Sequence, residues 1–245
     1  MTLFLTSHIG GSVKIDGRRE PAFLNPDNGL VNRLKARWAG PASILLVAAS
    51  PEDLERNDSI QRAFTQAFPM SGLPIRGITV CDSRGEDAVR HLEKFDAVIL
   101  SGGHVPTQNK FFARIGLKEK LKRYRGIVIG ISAGTMNCAE TVYAHPEMDG
   151  EAIDPAYRRF LPGLGLTDKM ILPHYQSIKD DILDGLRVFE DIAYPDSQGR
   201  TFYALVDGSY ILSENGAETL YGEAYRIRDG VLTKICENGA ALSLK

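Results

Sequence analysis

The chain has 245 residues, 43% hydrophobic and 24% charged, which is enough to bury a substantial core and reads as a single domain over 1–245. A formal net charge of −2 argues against a nucleic-acid-binding surface, and "KEKLKRYR" (118–125) reads as a solvated helix face rather than a polybasic patch. Three isolated cysteines, Cys81, Cys138 and Cys236, give neither a disulfide framework nor a zinc site, and no apolar run approaches membrane-spanning length. The expectation is a cytoplasmic, reduced protein with no nucleic-acid or membrane partner.

In chain order, "LFLTS" (3–7) is a strand, too short and too poor in leading basic residues for a signal peptide. A Gly/Pro/Asn-rich excursion follows through residue 29, and "NGLVNRLKARWAG" is helical until Gly40-Pro41 stops it. "SILLVAAS" (43–50) is a buried strand. Ser50 as N-cap, Pro51 at the first helical position and the early acids Glu52 and Asp53 predict a helix to about Phe68. "IRGITVCD" is a strand, "RGEDAVRHLEKF" a helix and "DAVILSGG" (96–103) a strand. A helix then runs from about Thr107 to Tyr124, and "GIVIGI" (126–131) is again a strand. "KMILPHYQ" (169–176) is a short strand ending at His174, and "DDILDGLRVFEDIAY" reads as amphipathic helix. From residue 201 the chain reads as a meander, with Asn215-Gly216, Asp229-Gly230 and Asn238-Gly239 as hairpin turns. Apolar strands alternating with helices imply an α/β fold: a mostly parallel, flavodoxin-like sheet covered by helices on both faces, with a C-terminal β-meander. In such sheets chemistry collects at the carboxyl ends of the strands.

One of those ends carries Gly130-Ile131-Ser132-Ala133-Gly134, a G-x-S-x-G pattern at a strand-to-helix bend. Small flanking residues let a serine stand exposed there, and the first helical N–H groups point at the reaction centre, so the Ala133 N–H suits a developing oxyanion. The same pattern also describes an ordinary serine N-cap. Of five histidines, His8, His91 and His145 lie in an early loop, a charged helix and a polar stretch. His174 ends an apolar strand, which a parallel sheet brings to the rim that carries Ser132, so it is the candidate general base. Gly103, after Ser101-Gly102, is a second oxyanion donor. His104 beside it is a substrate contact, an alternative base or a turn residue. Asp207 in "ALVDGSYI" is placed to orient the histidine, with Glu147, Asp149 and Asp154 competing for that role.

The segments "VILSGG", "GISAGTMN", "LPHY" and "LVDGSYI" in that order resemble the serine peptidase family of aspartyl dipeptidase (peptidase E) and cyanophycinase, over about residues 96–215. The resemblance implies a class I glutamine amidotransferase-like fold in which a serine replaces the amidotransferase cysteine. It also implies Ser132 as nucleophile, His174 as base, Asp207 as orienting acid, and Gly103 with Ala133 as oxyanion hole. The acid is alternatively assigned to the loop after the nucleophile helix, near Glu147 or Asp149.

The chain departs from that family at His104-Val105-Pro106-Thr107, where aspartyl dipeptidases carry Gly-Asn-Thr. It also lacks their arginine-containing segment after the Pro-His strand, so selectivity for an N-terminal aspartate is not supported. The expected activity is hydrolysis of small peptides or related amides through an acyl-enzyme, without metal or cofactor. The competing readings are a non-catalytic small-molecule binding protein and an α/β-hydrolase esterase, whose chain order of Ser, acid, His does not match. The fold is compatible with a homodimer, which no residue demonstrates.

Overall fold

The computed structural model describes residues 1–244. The first half supplies β1 (Thr2–Thr6), β2 (Gly10–Ile15), β3 (Arg18–Leu24), α1 (Leu30–Lys35), β4 (Ala42–Val47), α2 (Leu54–Met70), β5 (Ile75–Cys81), β6 (Ala97–Leu100), α3 (Val105–Arg114), α4 (Leu117–Leu121), β7 (Ile127–Ile131) and α5 (Ala133–Met136). The second half supplies β8 (Thr141–Tyr143), β9 (Phe160–Pro162), β10 (Met170–Leu172), α6 (Tyr175–Ile178), β11 (Ile182–Leu183), β12 (Leu186–Arg187), α7 (Tyr194–Asp196), β13 (Thr201–Leu205), β14 (Tyr210–Glu214), β15 (Ala217–Tyr221), β16 (Ala224–Arg228), β17 (Val231–Cys236) and β18 (Ala241–Leu244).

The central sheet runs β18-β15-β14-β1-β7-β6-β4-β5. Its β1, β7, β6, β4 and β5 are mutually parallel, whereas β14, β15 and β18 are antiparallel additions beside β1. The parallel strands are apolar on both faces because both faces are covered. Phe4, Ile44, Leu46, Ile99 and Ile129 pack beneath α1 and α2, through Leu34, Phe64 and Phe68. Leu5, Leu45, Val47, Val98 and Val128 face the other way, against Phe111 and Phe112 of α3 and Leu117 and Leu121 of α4. Each such buried side chain contributes about 1.5–3 kcal/mol of transfer free energy. Among the described residues, no helix is long and apolar enough to cross a membrane.

Several elements differ from the sequence reading. The N-cap of α2 is Asp53, whose Oδ1 accepts the Arg56 N–H at 3.2 Å, rather than Ser50. The helix expected over 107–124 is two, broken at Gly116 in the left-handed region (φ 62°). Glu86–Lys94 winds as 3-10 turns kinked at His91. The stretch read as amphipathic helix begins instead as the hairpin β11–β12, turned by Asp184 (φ 53°) and Gly185 (φ 81°), before a π turn over Val188–Ala193. The excursion before residue 29 holds the hairpin β2–β3, turned by Asp16 and Gly17.

The C-terminal strands are shared between two sheets. While β14, β15 and β18 extend the central sheet, β13, β16 and β17 join β10 in a second one, ordered β10-β13-β16-β17. The Asn238-Gly239 turn therefore links two sheets and is not a hairpin. The chain likewise crosses between sheets from β13 to β14, through Val206–Ser209.

Candidate active site

Four strand ends meet at one place. In the central sheet, Thr6 pairs with Ile131, so β1 and β7 finish side by side and deliver Ser7 and Ser132 to the same rim. In the second sheet, Leu172 pairs in parallel with Ala204, so β10 and β13 deliver His174 and Asp207 together.

Ser132 sits at φ 51°, ψ −115° between β7 and α5. Positive φ is uncommon for a non-glycine residue and costs about 1–3 kcal/mol. The bend is over-determined by its surroundings. The Ser132 N–H donates to Thr6 O at 3.1 Å and Thr135 Oγ1 donates to the same oxygen at 2.8 Å. A Cβ on Gly130 would lie 2.8 Å from Thr135 Cα, and one on Gly134 would strike the Leu100 carbonyl, so both positions need glycine for close approach. The Ala133 N–H lies in the first turn of α5, where amides have no intrahelical acceptor. On the adjacent β6 end, a Cβ on Gly102 would lie 3.3 Å from Ser132 Cβ, and Arg56 Nη2 donates to Gly102 O at 3.2 Å.

His174 takes the left-handed conformation (φ 59°, ψ 29°) two residues beyond β10. Its Nε2 lies 2.9 Å from Ser132 Oγ and its Nδ1 2.7 Å from Asp207 Oδ1. A carboxylate only accepts, so Nδ1 carries the proton and Nε2 is left to accept from the serine hydroxyl. Burial pushes the Asp207 carboxyl up, but hydrogen bonds from His174 and Ser7, with the His174 charge, outweigh it and leave the group at about 2. The Asp207 N–H is held by Gln176 Oε1 at 3.0 Å. The His8 ring lies 6.3 Å from that of His174, and burial lowers its pKa.

The competing acids occupy the loop over 144–159, and His104 contacts it from the segment before α3. His104 is engaged at both ring nitrogens, Nδ1 with Thr107 Oγ1 at 2.8 Å and Nε2 with Glu151 Oε1 at 2.9 Å. It thus fastens this loop to the segment after Gly103, and its ring hydrogen bonds go to Thr107 and Glu151 rather than to Ser132. Glu151 Oε2 accepts from the Glu147 and Met148 amides at 2.9 and 3.0 Å. Glu147 lies away from Nδ1 of His174, which Asp207 occupies, and lines a pocket of about 270 Å³ beside Ser132 and His174. Burial, then the Glu151 charge, pushes the Glu147 carboxyl up to about 8. Asp181, Ile178, Leu183 and Val188 also line the pocket, and among the described residues no lysine or arginine does. His145 at its base is 7% exposed, and burial holds its imidazole down at about 4. A larger groove bordered by Arg90, Lys120 and Arg125 lies at the other end of the sheet, where β7 begins, and is remote from Ser132.

Sequence reasoning missed Ser7, Gln176, Arg56 and Glu151. Ser7 carried a signal, a polar residue closing an apolar strand, but which strand lies beside β7 is a matter of topology.

A serine on a strand-to-helix bend, hydrogen-bonded to a histidine that a carboxylate holds from behind, is an arrangement that can support nucleophilic serine chemistry. The model of peptidase family S51 matches residues 34–220, and the chain belongs to that family of serine peptidases. Its fold is similar to that of a peptidase from an acI-B1 Actinobacterium (TM-score 0.67, 13% identity, covering 99% of this chain and 96% of the other). It is also similar to a candidate peptidase E protein from Listeria monocytogenes EGD-e (TM-score 0.60, 15% identity, covering 96% and 98%). No curated protein sequence matches the chain.

Proposed function

We propose that this peptidase cleaves small peptides or related amides through an acyl-enzyme on Ser132. The reading is carried by the unbroken hydrogen-bonded path from Ser132 Oγ through His174 to Asp207, at 2.9 and 2.7 Å. Ser132 Oγ attacks the carbonyl carbon as its proton passes to His174 Nε2. The carbonyl oxygen, now negative, lies against the N–H groups of Gly103 and Ala133. Collapse of the adduct breaks the C–N bond, and the departing amine takes the proton from Nε2. Water then repeats the cycle on the ester, releasing the acid and restoring the serine. Asp207 keeps the proton on Nδ1 and stabilises the imidazolium that forms in each half-reaction.

A pocket of about 270 Å³ is at the small end for ligand sites and favours short substrates. Asp181 lines it with no described cation beside it, which disfavours an acidic side chain there, so the reading is a dipeptidase-like enzyme without aspartate selectivity in that pocket. The order Ser132, His174, Asp207 along the chain speaks against an α/β-hydrolase esterase. A reducing compartment such as the cytoplasm fits three buried, unpaired thiols, among them Cys81, whose burial pushes it up to about 12.

Fluorophosphonate labelling and turnover of a dipeptide library test the reading. Wild type should be labelled and active, and Ser132→Ala unlabelled and slower by at least about a thousandfold. Equal labelling of both proteins would remove Ser132 from the chemistry, and a labelled protein with no amide turnover would leave a binding protein.

A further inference from the structure

Ser7 closes β1 and is fully buried. Its Oγ donates to Asp207 Oδ1 at 2.7 Å, the same oxygen that accepts from His174 Nδ1. A hydroxyl has one proton and two lone pairs, and one of those lone pairs accepts the backbone N–H of His174 at 2.8 Å. Its own backbone N–H donates to Ser209 O at 3.2 Å, on the far side of the turn that carries Asp207. One side chain therefore touches the base at its backbone and the acid at its carboxylate, and directly follows the strand that pairs with β7.

We propose that Ser7 is a positioning residue of the catalytic chain, whose hydroxyl locks the backbone of His174 and the carboxylate of Asp207 into one unit that aims the imidazole at Ser132. The inference rests on the serine-hydrolase reading above. The backbone contact matters because His174 holds a left-handed φ of 59°, where rotation about φ or ψ would swing the ring away from Ser132. An N–H donor without an acceptor would remove what holds that conformation. The carboxylate contact matters because Oδ1 then receives two hydrogen bonds. That lowers its affinity for the Nδ1 proton, so the charge stays on the imidazolium when Ser132 gives up its proton. The titratable groups facing Asp207 are His174 and His8, the latter itself beside Arg19. Ser7 and Gln176 are its neutral partners, and of the two only Ser7 also touches His174.

The test compares wild type with Ser7→Ala, which lacks both hydrogen bonds, and Ser7→Cys, which keeps weaker ones in nearly the same volume. Steady-state kinetics should show kcat lower by about 10- to 100-fold in Ser7→Ala, with KM within about twofold and Ser7→Cys between the two. Carbon-13 titration should move the Asp207 carboxyl upward from about 2, and the His174 Nδ1–H proton resonance should shift. These spectra are recorded in a Ser132→Ala background as well. Loss of serine labelling in wild type would sink the hydrolase reading, while the Asp207 titration would still decide the Ser7 linkage. An unchanged kcat, or an Asp207 titration and Nδ1–H resonance that do not move, overturns the proposal. If Ser7→Ala fails to fold, Ser7→Cys against wild type carries the same comparison.

Discussion

Ser132 and His174 both hold positive φ without being glycine, at 51° and 59°, and both are held there by the end of β1. Thr6 takes the N–H of one and Ser7 the N–H of the other. Two strained residues joined by a 2.9 Å hydrogen bond form a preorganised unit, and the packing around them offsets a cost of about 1–3 kcal/mol each. Glu147 shows the opposite kind of perturbation. The residue is exposed where it opens on the pocket, Glu151 and Tyr157 are its electrostatic neighbours, and His145, His174 and Asp181 line the same pocket. Its carboxyl is raised to about 8, so the folded chain retains a proton that the unfolded chain releases. The associated stability is complete below the unfolded value and is lost as pH rises through about 8. Glu147→Gln should therefore gain thermal stability relative to wild type between about pH 5 and about pH 9, by an amount that solvent screening keeps modest. Melting curves at the two pH values check this, and parallel curves would contradict it.

At the scale of elements, parallel pairing sets the distances that matter. Because β10 and β13 run side by side in register, their ends place His174 and Asp207 at hydrogen-bond range although 33 residues separate them. The pocket wall depends on a smaller element. Asp184, at the turn between β11 and β12, accepts from the Gly150 N–H at 2.8 Å and the Ala152 N–H at 3.0 Å, tying that hairpin to the 144–159 loop. Losing these charge-assisted bonds should loosen the pocket more than the core. Asp184→Ala should raise KM by roughly fivefold, about 1 kcal/mol, with little change in kcat or melting temperature. A kcat loss at constant KM would point to the nucleophile side instead. The Asp-Gly turns at 16–17 and 184–185 have both residues at positive φ, the geometry of a two-residue hairpin. The sequence carried that signal in both places, but periodic apolar residues masked it in the second and a loop-rich composition masked it in the first.

Across the whole molecule, β1 is the hinge of the design. It pairs with β7 on one side and, across about two hundred residues of chain, with β14 on the other. Such non-local pairing ties the last part of the chain into the central sheet. A chain truncated after Arg200 would lose Asp207 and leave β1 as an open apolar edge, without Tyr210, Ile211 and Leu212 beside it. It should show no cooperative thermal transition and should aggregate in gel filtration. A monomeric, cooperatively melting fragment would contradict this account.

The alternation of apolar runs with helical segments was enough to read the parallel core, because strands covered on both faces must be apolar throughout. The G-x-S-x-G bend was legible for a similar reason: close approach of Thr135 and Leu100 leaves room for nothing larger than glycine. His174 and Asp207 could be named as strand-end residues, but not placed. Their meeting with Ser132 depends on the chain leaving one sheet after β13 and entering another at β14, which no local pattern encodes. Ser7 shares that limit, since its polar side chain at the end of an apolar strand is visible but the partners of that strand are not. Local sterics and burial are written residue by residue, whereas strand order is a property of the assembled sheet, and it was the tertiary structure that set four residues from four strand ends within hydrogen-bonding distance.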